Sequence, residues 1–183
     1  FKKFIKRIPP IMKIITFQDD LALCDAIGQE AFHLLRWIIL SNRSQLFYLP
    51  PKIQLPMLSS NGCFQFMALI SSPDQEEIFQ QLKKKYTSIF VWHGSPNDRW
   101  HSIIRNGLIN ATNTKLMRVG AAYGPGIYLG KSSQISLGYS VGGPNPFKAS
   151  TLGRNFSVIA LCEVIKLPNK KEVTEKVYYR DPI

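Results

Sequence analysis

The residues most able to do chemistry are His93, Gly94, Ser95, Tyr128, Ser136 and Tyr139. His93-Gly94-Ser95 closes an apolar run, and a strand end followed by glycine lets main chain approach a ligand closely. Gly124-Pro125-Gly126-Ile127-Tyr128 sets glycines and a phenol ring where a loop meets an extended segment. Ser136 and Tyr139 are three apart, so a short helix would present both on one face. Together they suit a flat heteroaromatic ligand: Tyr128 and Tyr139 sandwich the ring, while Ser136 and the Gly94 main chain satisfy a carboxamide. Read singly, each has a plainer meaning, since histidines and tyrosines on apolar segments are often core residues and Gly-x-Gly marks only a turn.

The elements that must position these groups can be read from patterning. Residues 89–92 form a short buried strand ending at His93, and residues 97–106 a helix stopped by Gly107. Ile127-Tyr128-Leu129 is extended, residues 132–139 are a short helix, and residues 156–165 alternate as a core strand. A further strand is expected to begin within residues 176–179. Upstream, Asp19-Asp20 offer an N-cap to one helix reaching Leu40, with Leu23, Ile27, Ala31, Leu34 and Ile38 as its buried stripe. Residues 46–60 read as an irregular connection and residues 63–70 as an apolar strand. Ser72-Pro73-Asp74-Gln75 is a capping box with proline at the first helical position. In the helix that follows, early acids and late lysines compensate the macrodipole, and Ile78, Leu82 and Tyr86 give an apolar face. The first eighteen residues, with Pro9-Pro10, read as a loosely packed arm, and residues 141–155 as a mobile Gly/Pro-rich segment. The fold class is α+β.

The chain has 183 residues, 45% hydrophobic and 19% charged, which suits a folded domain and excludes a disordered tail. The net charge of +11 favours polyanions and dinucleotide phosphates. No motif of a dedicated nucleic-acid reader accompanies the basic runs, so nucleic acid stays an open partner without a signature. Three scattered cysteines are expected to be buried, reduced thiols in an intracellular protein, with cytoplasm and nucleus not distinguished. No Cys/His cluster has zinc spacing, no apolar stretch is long enough to span a bilayer, and no metal is expected. The missing initiator Met suggests an excised fragment.

Residues 90–95, running on to Trp100-His101-Ser102-Ile103-Ile104-Arg105-Asn106-Gly107-Leu108, resemble the first nicotinamide-contacting motif of poly(ADP-ribose) polymerase (PARP) catalytic domains. Gly120-Ala121-Ala122-Tyr123-Gly124-Pro125-Gly126-Ile127-Tyr128-Leu129, with Ser136-x-x-Tyr139, resembles the second, and Leu161-Cys162-Glu163-Val164-Ile165 the strand that follows. The wording is nearest the sixth and eighth human paralogues, a mono-ADP-ribosyltransferase branch, over residues 65–165, with fainter similarity around residues 37–48. The resemblance implies the α+β ADP-ribosyltransferase fold, with two antiparallel sheets around an NAD cleft. It divides the chain into an arm and helical segment over residues 1–60 and a catalytic core over 61–183.

The resemblance further implies a glycosyltransferase: ADP-ribose, a pentosyl group, passes from NAD to a protein side chain, self-modification included, and nicotinamide is released. His93 would orient a ribose hydroxyl, Gly94 clamp the carboxamide, Ser136 donate to it, Tyr139 stack on the ring and Tyr128 close the other side. Ser95 would lie nearer the adenosine half. The family's third position falls at Glu175 or Lys176, depending on a one-residue gap. Glu175 is therefore the third candidate catalytic residue beside His93 and Tyr128, able to support the oxocarbenium ion and deprotonate an acceptor. The nearest branch lacks a glutamate there, so single-unit transfer is expected. The family continues into at least one more core strand, so the chain is expected to be truncated at its C-terminal end. A catalytically weak NAD- or ADP-ribose-binding module and a basic nucleic-acid-associated domain are the alternatives.

Overall fold

The structure is a computed structural model that describes residues 1–59, 62–115, 117, 124–141, 156–168 and 178–179. Two compact units divide the chain, Phe1–Arg43 and Ser44–Ile183.

The first unit is helical. Two single turns, α1 (Lys2–Ile5) and α2 (Ile11–Ile14), precede α3 (Asp20–Ile27) and α4 (Gln29–Leu40). Asp19 caps α3 by accepting a hydrogen bond from the Ala22 N–H at 2.8 Å. The single helix expected to Leu40 is broken at Gly28, whose φ is +83°. A Cβ there would stand 2.6 Å from the Arg7 guanidinium as well as straining the backbone. The break rotates the buried stripe from Leu34 and Ile38 to Phe32 and Leu35, which join Leu23, Ile27 and Ala31 in the core. The opening segment is no loose arm either. Phe4, Ile8, Ile14 and Phe17 pack against that core, which takes part of their apolar surface out of water.

In the second unit, the expected irregular connection is more regular over its described residues 46–59. β1 (Gln45–Tyr48) pairs antiparallel with β2 (Phe66–Leu69), and a 3₁₀ turn at Pro51–Ile53 and α5 (Pro56–Ser59) connect them. The buried Gln65 amide organises this connection, accepting from the Leu55 N–H and donating to the Leu55 carbonyl and Ser59 hydroxyl. Pro51 and Pro56 open the 3₁₀ turn and α5 and Pro50 precedes them, so no proline falls within the ladder. The capping box forms as read: Ser72 Oγ accepts from the Gln75 N–H and Gln75 Oε1 from the Ser72 N–H, opening α6 (Pro73–Lys85). Its expected apolar face stays largely open, with Ile78 57% exposed, and Phe79 is more buried.

β3 (Ser88–Gly94) pairs antiparallel over its whole length with β5 (Ile159–Ile165). Between them in sequence come a 3₁₀ turn at Asn97–Arg99, α7 (Trp100–Asn106), β4 (Ile127–Tyr128) and α8 (Ser133–Ser140). β6 (Tyr178–Tyr179) pairs antiparallel with β4. Reciprocal hydrogen bonds between Trp92 and Gly130, 2.7 and 2.8 Å, tie the β3–β5 ladder to the β4 segment. The architecture is α+β with antiparallel pairing, as expected. The core of this unit centres on Val91, fully buried, and Leu129, with Ile89, Leu108, Ile127, Cys162 and Val164 around them. Period-two alternation puts Ile89 and Val91 on one face of β3, and His93 follows in that series. On β5, Glu163 accepts hydrogen bonds from Lys83 at 2.6 Å and Ser88 at 2.5 Å, fastening α6 to the ladder. Those partners hold its carboxyl below the ordinary range.

Of the cysteines, all are free, Cys24 and Cys162 are partly buried, and Cys63 is exposed rather than buried, since it precedes β2 on an open loop. Residues 142–155, including most of the expected mobile segment, lie outside the described residues.

Candidate functional site

The site candidates converge where β3 ends. His93 Nδ1 lies 3.0 Å from the Tyr128 carbonyl oxygen. A carbonyl only accepts, so Nδ1 carries the proton. Burial pushes the imidazole below its ordinary value, opposed in part by that same hydrogen bond. The neutral ring therefore presents Nε2 as an acceptor, suited to a hydroxyl donor. β4 thus contributes two things at Tyr128: its main chain fixes the histidine tautomer, and its phenol donates to the Gly124 carbonyl at 2.7 Å.

Gly94 is the point of closest approach. A Cβ there would stand 1.7 Å from the Ser136 carbonyl oxygen, so α8 rests directly on the end of β3. Ser136 is buried and Tyr139 about half exposed. The two do not share one buried face as expected: a three-residue offset turns Tyr139 about 60° around the helix from Ser136, enough to leave the serine buried and the phenol exposed. The Ser140 hydroxyl lies 2.9 Å from the Val158 carbonyl and 3.2 Å from the Ser136 carbonyl, holding the last turn of α8 near the start of β5.

The structure thus brings His93, Gly94, Tyr128 and Ser136 into one neighbourhood, with Tyr139 on the exposed side of the same helix. Ser95 continues from Gly94, and its carbonyl accepts the Trp100 indole N–H at 2.9 Å. Glu175 and Lys176, like the Gly120–Tyr123 part of the second motif, lie outside the described residues. At the end of β3 the imidazole offers an acceptor nitrogen suited to a hydroxyl, while the Ser136 main chain fills the space beside Gly94. Among the described residues no group of three or more His, Cys, Asp or Glu could hold a metal ion, and no helix is long and apolar enough to cross a membrane.

Sequence reasoning missed three supporting residues. Trp100 touches both His93 and Ser95. Thr112 Oγ1 accepts from the Gly126 N–H at 3.1 Å, steadying the approach to β4. For Ser140 the sequence does carry a signal, since four-residue spacing from Ser136 puts both on one helix face. The other two contacts join residues whose approach only the fold creates.

Known proteins are similar to this chain over the stretch that holds these elements. A family model described as the poly(ADP-ribose) polymerase catalytic domain matches residues 65–179. Protein mono-ADP-ribosyltransferase PARP8 of Mus musculus is 40% identical over 164 residues, covering 76% of this chain and 19% of the mouse protein. The Homo sapiens protein of that name is 48% identical over 110 residues, 60% of this chain and 13% of its own length. Protein mono-ADP-ribosyltransferase PARP16 of Homo sapiens is 36% identical over 98 residues, 54% of this chain and 29% of that protein. The chain therefore spans one fifth or less of the PARP8 relatives. Because the matched stretch covers more than half of the chain and takes in β2 through β6, the chain belongs to the poly(ADP-ribose) polymerase catalytic-domain family.

Proposed function

We propose that this chain transfers ADP-ribose from NAD to protein side chains, itself included, as single units with release of nicotinamide. It is then a glycosyltransferase moving a pentosyl group, on the branch typified by the sixth and eighth human paralogues, with residues 61–183 as the catalytic core. The observation that carries this reading is the pairing at the end of β3: a tautomer-fixed His93 with Nε2 available, beside a Gly94 pressed against Ser136.

The chemistry asks for orientation more than for acid–base power. The N-glycosidic bond joins a cationic pyridinium to ribose; as it breaks, the bond electrons return to the ring and nicotinamide leaves neutral. The anomeric carbon gains oxocarbenium character and an acceptor X–H attacks it from the opposite face, losing its proton. His93 Nε2 accepts from a ribose hydroxyl and aims that carbon. The Gly94 main chain and Ser136 hold the carboxamide, and Tyr139 with Tyr128 confines the ring. Because the leaving group departs neutral, the step needs no Lewis acid. Single-unit transfer is supported by the relatives, which are mono-ADP-ribosyltransferases by name; Glu175 is the candidate to support the oxocarbenium ion and activate the acceptor if the third position falls there rather than on Lys176.

Mass spectrometry of the chain after incubation with NAD tests this. One ADP-ribose increment per modified side chain, with matching nicotinamide release, is expected. A polymer ladder would overturn single-unit transfer and favour Glu175 as the group that deprotonates the acceptor hydroxyl. No increment and no nicotinamide would overturn the transferase reading.

A further inference from the structure

We infer that Trp100 is a positioning residue for the ribose–adenosine half of the bound dinucleotide, because one buried indole grips the residues on both sides of Gly94. This rests on the function proposed above. Trp100 is the first residue of α7 and only 4% exposed. Its N–H donates to the Ser95 carbonyl at 2.9 Å, and its ring meets the His93 imidazole edge-on, centroids 6.2 Å apart and planes inclined by 66°. The imidazole is thereby held by two neighbours, the Tyr128 carbonyl and the indole. The Ser95 main chain, just past the strand and outside the β3–β5 register, has no ladder partner to hold it. The indole N–H takes that part.

Gly94 between them has separate support, since it rests on the Ser136 main chain. The two halves of the ligand site therefore have different anchors. The Gly94–Ser136 contact serves the nicotinamide end, and Trp100 serves the His93 and Ser95 contacts. Loss of the indole N–H should weaken one half selectively, whereas a residue that only stabilises the fold would weaken both alike.

Calorimetric titration of the 183-residue chain with ADP-ribose and, separately, with nicotinamide provides the test, alongside thermal melting. Trp100→Phe keeps an aromatic ring and deletes the N–H; it should weaken ADP-ribose binding about fivefold, the worth of one neutral hydrogen bond, and leave nicotinamide binding within about twofold. Trp100→Leu, which also removes the ring from His93, should weaken ADP-ribose binding further by a similar factor. If that variant does not fold, Trp100→Phe alone decides. Equal weakening of both ligands, or unchanged ADP-ribose binding, would overturn the positioning role while leaving the site reading intact. An unsubstituted chain that binds neither ligand would overturn the site reading and this role with it.

Discussion

Two antiparallel ladders of the second unit are built from similarly apolar residues and end up differently. β1–β2 pairs Leu46, Phe47 and Tyr48 with Ala68, Met67 and Phe66, and every one of these residues is exposed. β3–β5 pairs seven residues on each strand and buries Val91 completely. Strand composition does not separate them. What does is the covering: Leu129, Ile127 and Leu108 pack over Val91, and α8 rests on Gly94. Precise placement of ligand-binding groups requires neighbours that fix them, so the candidate site lies on the covered ladder.

The sharpest way to break that contrast is Gly94→Ala. The added Cβ would force β3 and α8 apart, because it meets backbone rather than a side-chain tip. Transfer activity should fall by more than about 100-fold, as expected for a displacement of about 1 Å at a reacting centre. Nicotinamide release measures this, and denaturation by urea should show an overpacking cost of about 1–3 kcal/mol. Activity near that of the unsubstituted chain would mean the site is elsewhere.

Next come paired truncations. Val91→Ala should cost about 2 kcal/mol through lost apolar burial and an unfilled cavity. Leu46→Ala on the open ladder should stay within about 0.5 kcal/mol. Equal losses would show that both ladders are covered in solution.

A pH dependence follows from His93. Its folded value is depressed below the ordinary 6.5, so as pH falls from that value the unfolded chain binds the proton while the folded chain resists it. Stability should decline with falling pH until the folded value is passed, and be flat above about pH 7 as far as His93 is concerned. His93→Gln should remove that part of the slope in denaturation curves taken from pH 5 to 8. An unchanged slope would assign it to other groups.

The smallest effect distinguishes the thiols. Burial pushes Cys162 up to about 11, and it pairs with the buried Val91 across the ladder, whereas Cys63 is exposed. Iodoacetamide at pH 8 should alkylate Cys63 promptly and Cys162 only on unfolding. Comparable rates would show that β5 opens readily.

Local signals carried much of the fold. The Ser72 capping box, the Gly107 stop after α7 and the Ser133–Ser140 helix are chemistry of neighbouring residues and were legible as such. The break at Gly28 was not, because Leu23, Ile27 and Ala31 keep helical spacing across it while Arg7, twenty-one positions away in sequence, closes the space. β1 was hidden by the prolines that follow it, and its pairing with β2 is a contact between distant residues. The site motifs were legible as a resemblance. The tautomer of His93 and the double grip of Trp100 were not, since both depend on β4 and α7 reaching the end of β3. Glu175 lies outside the described residues, so the product-length question rests on chemistry in solution.

The most direct test of the central claim is nicotinamide release and attachment of labelled ADP-ribose by the His93→Ala/Tyr128→Ala double variant, beside the unsubstituted chain. The account predicts that both signals, present in the unsubstituted chain, vanish in the double variant while its circular dichroism stays that of the folded protein. Undiminished labelling by a folded double variant would contradict it.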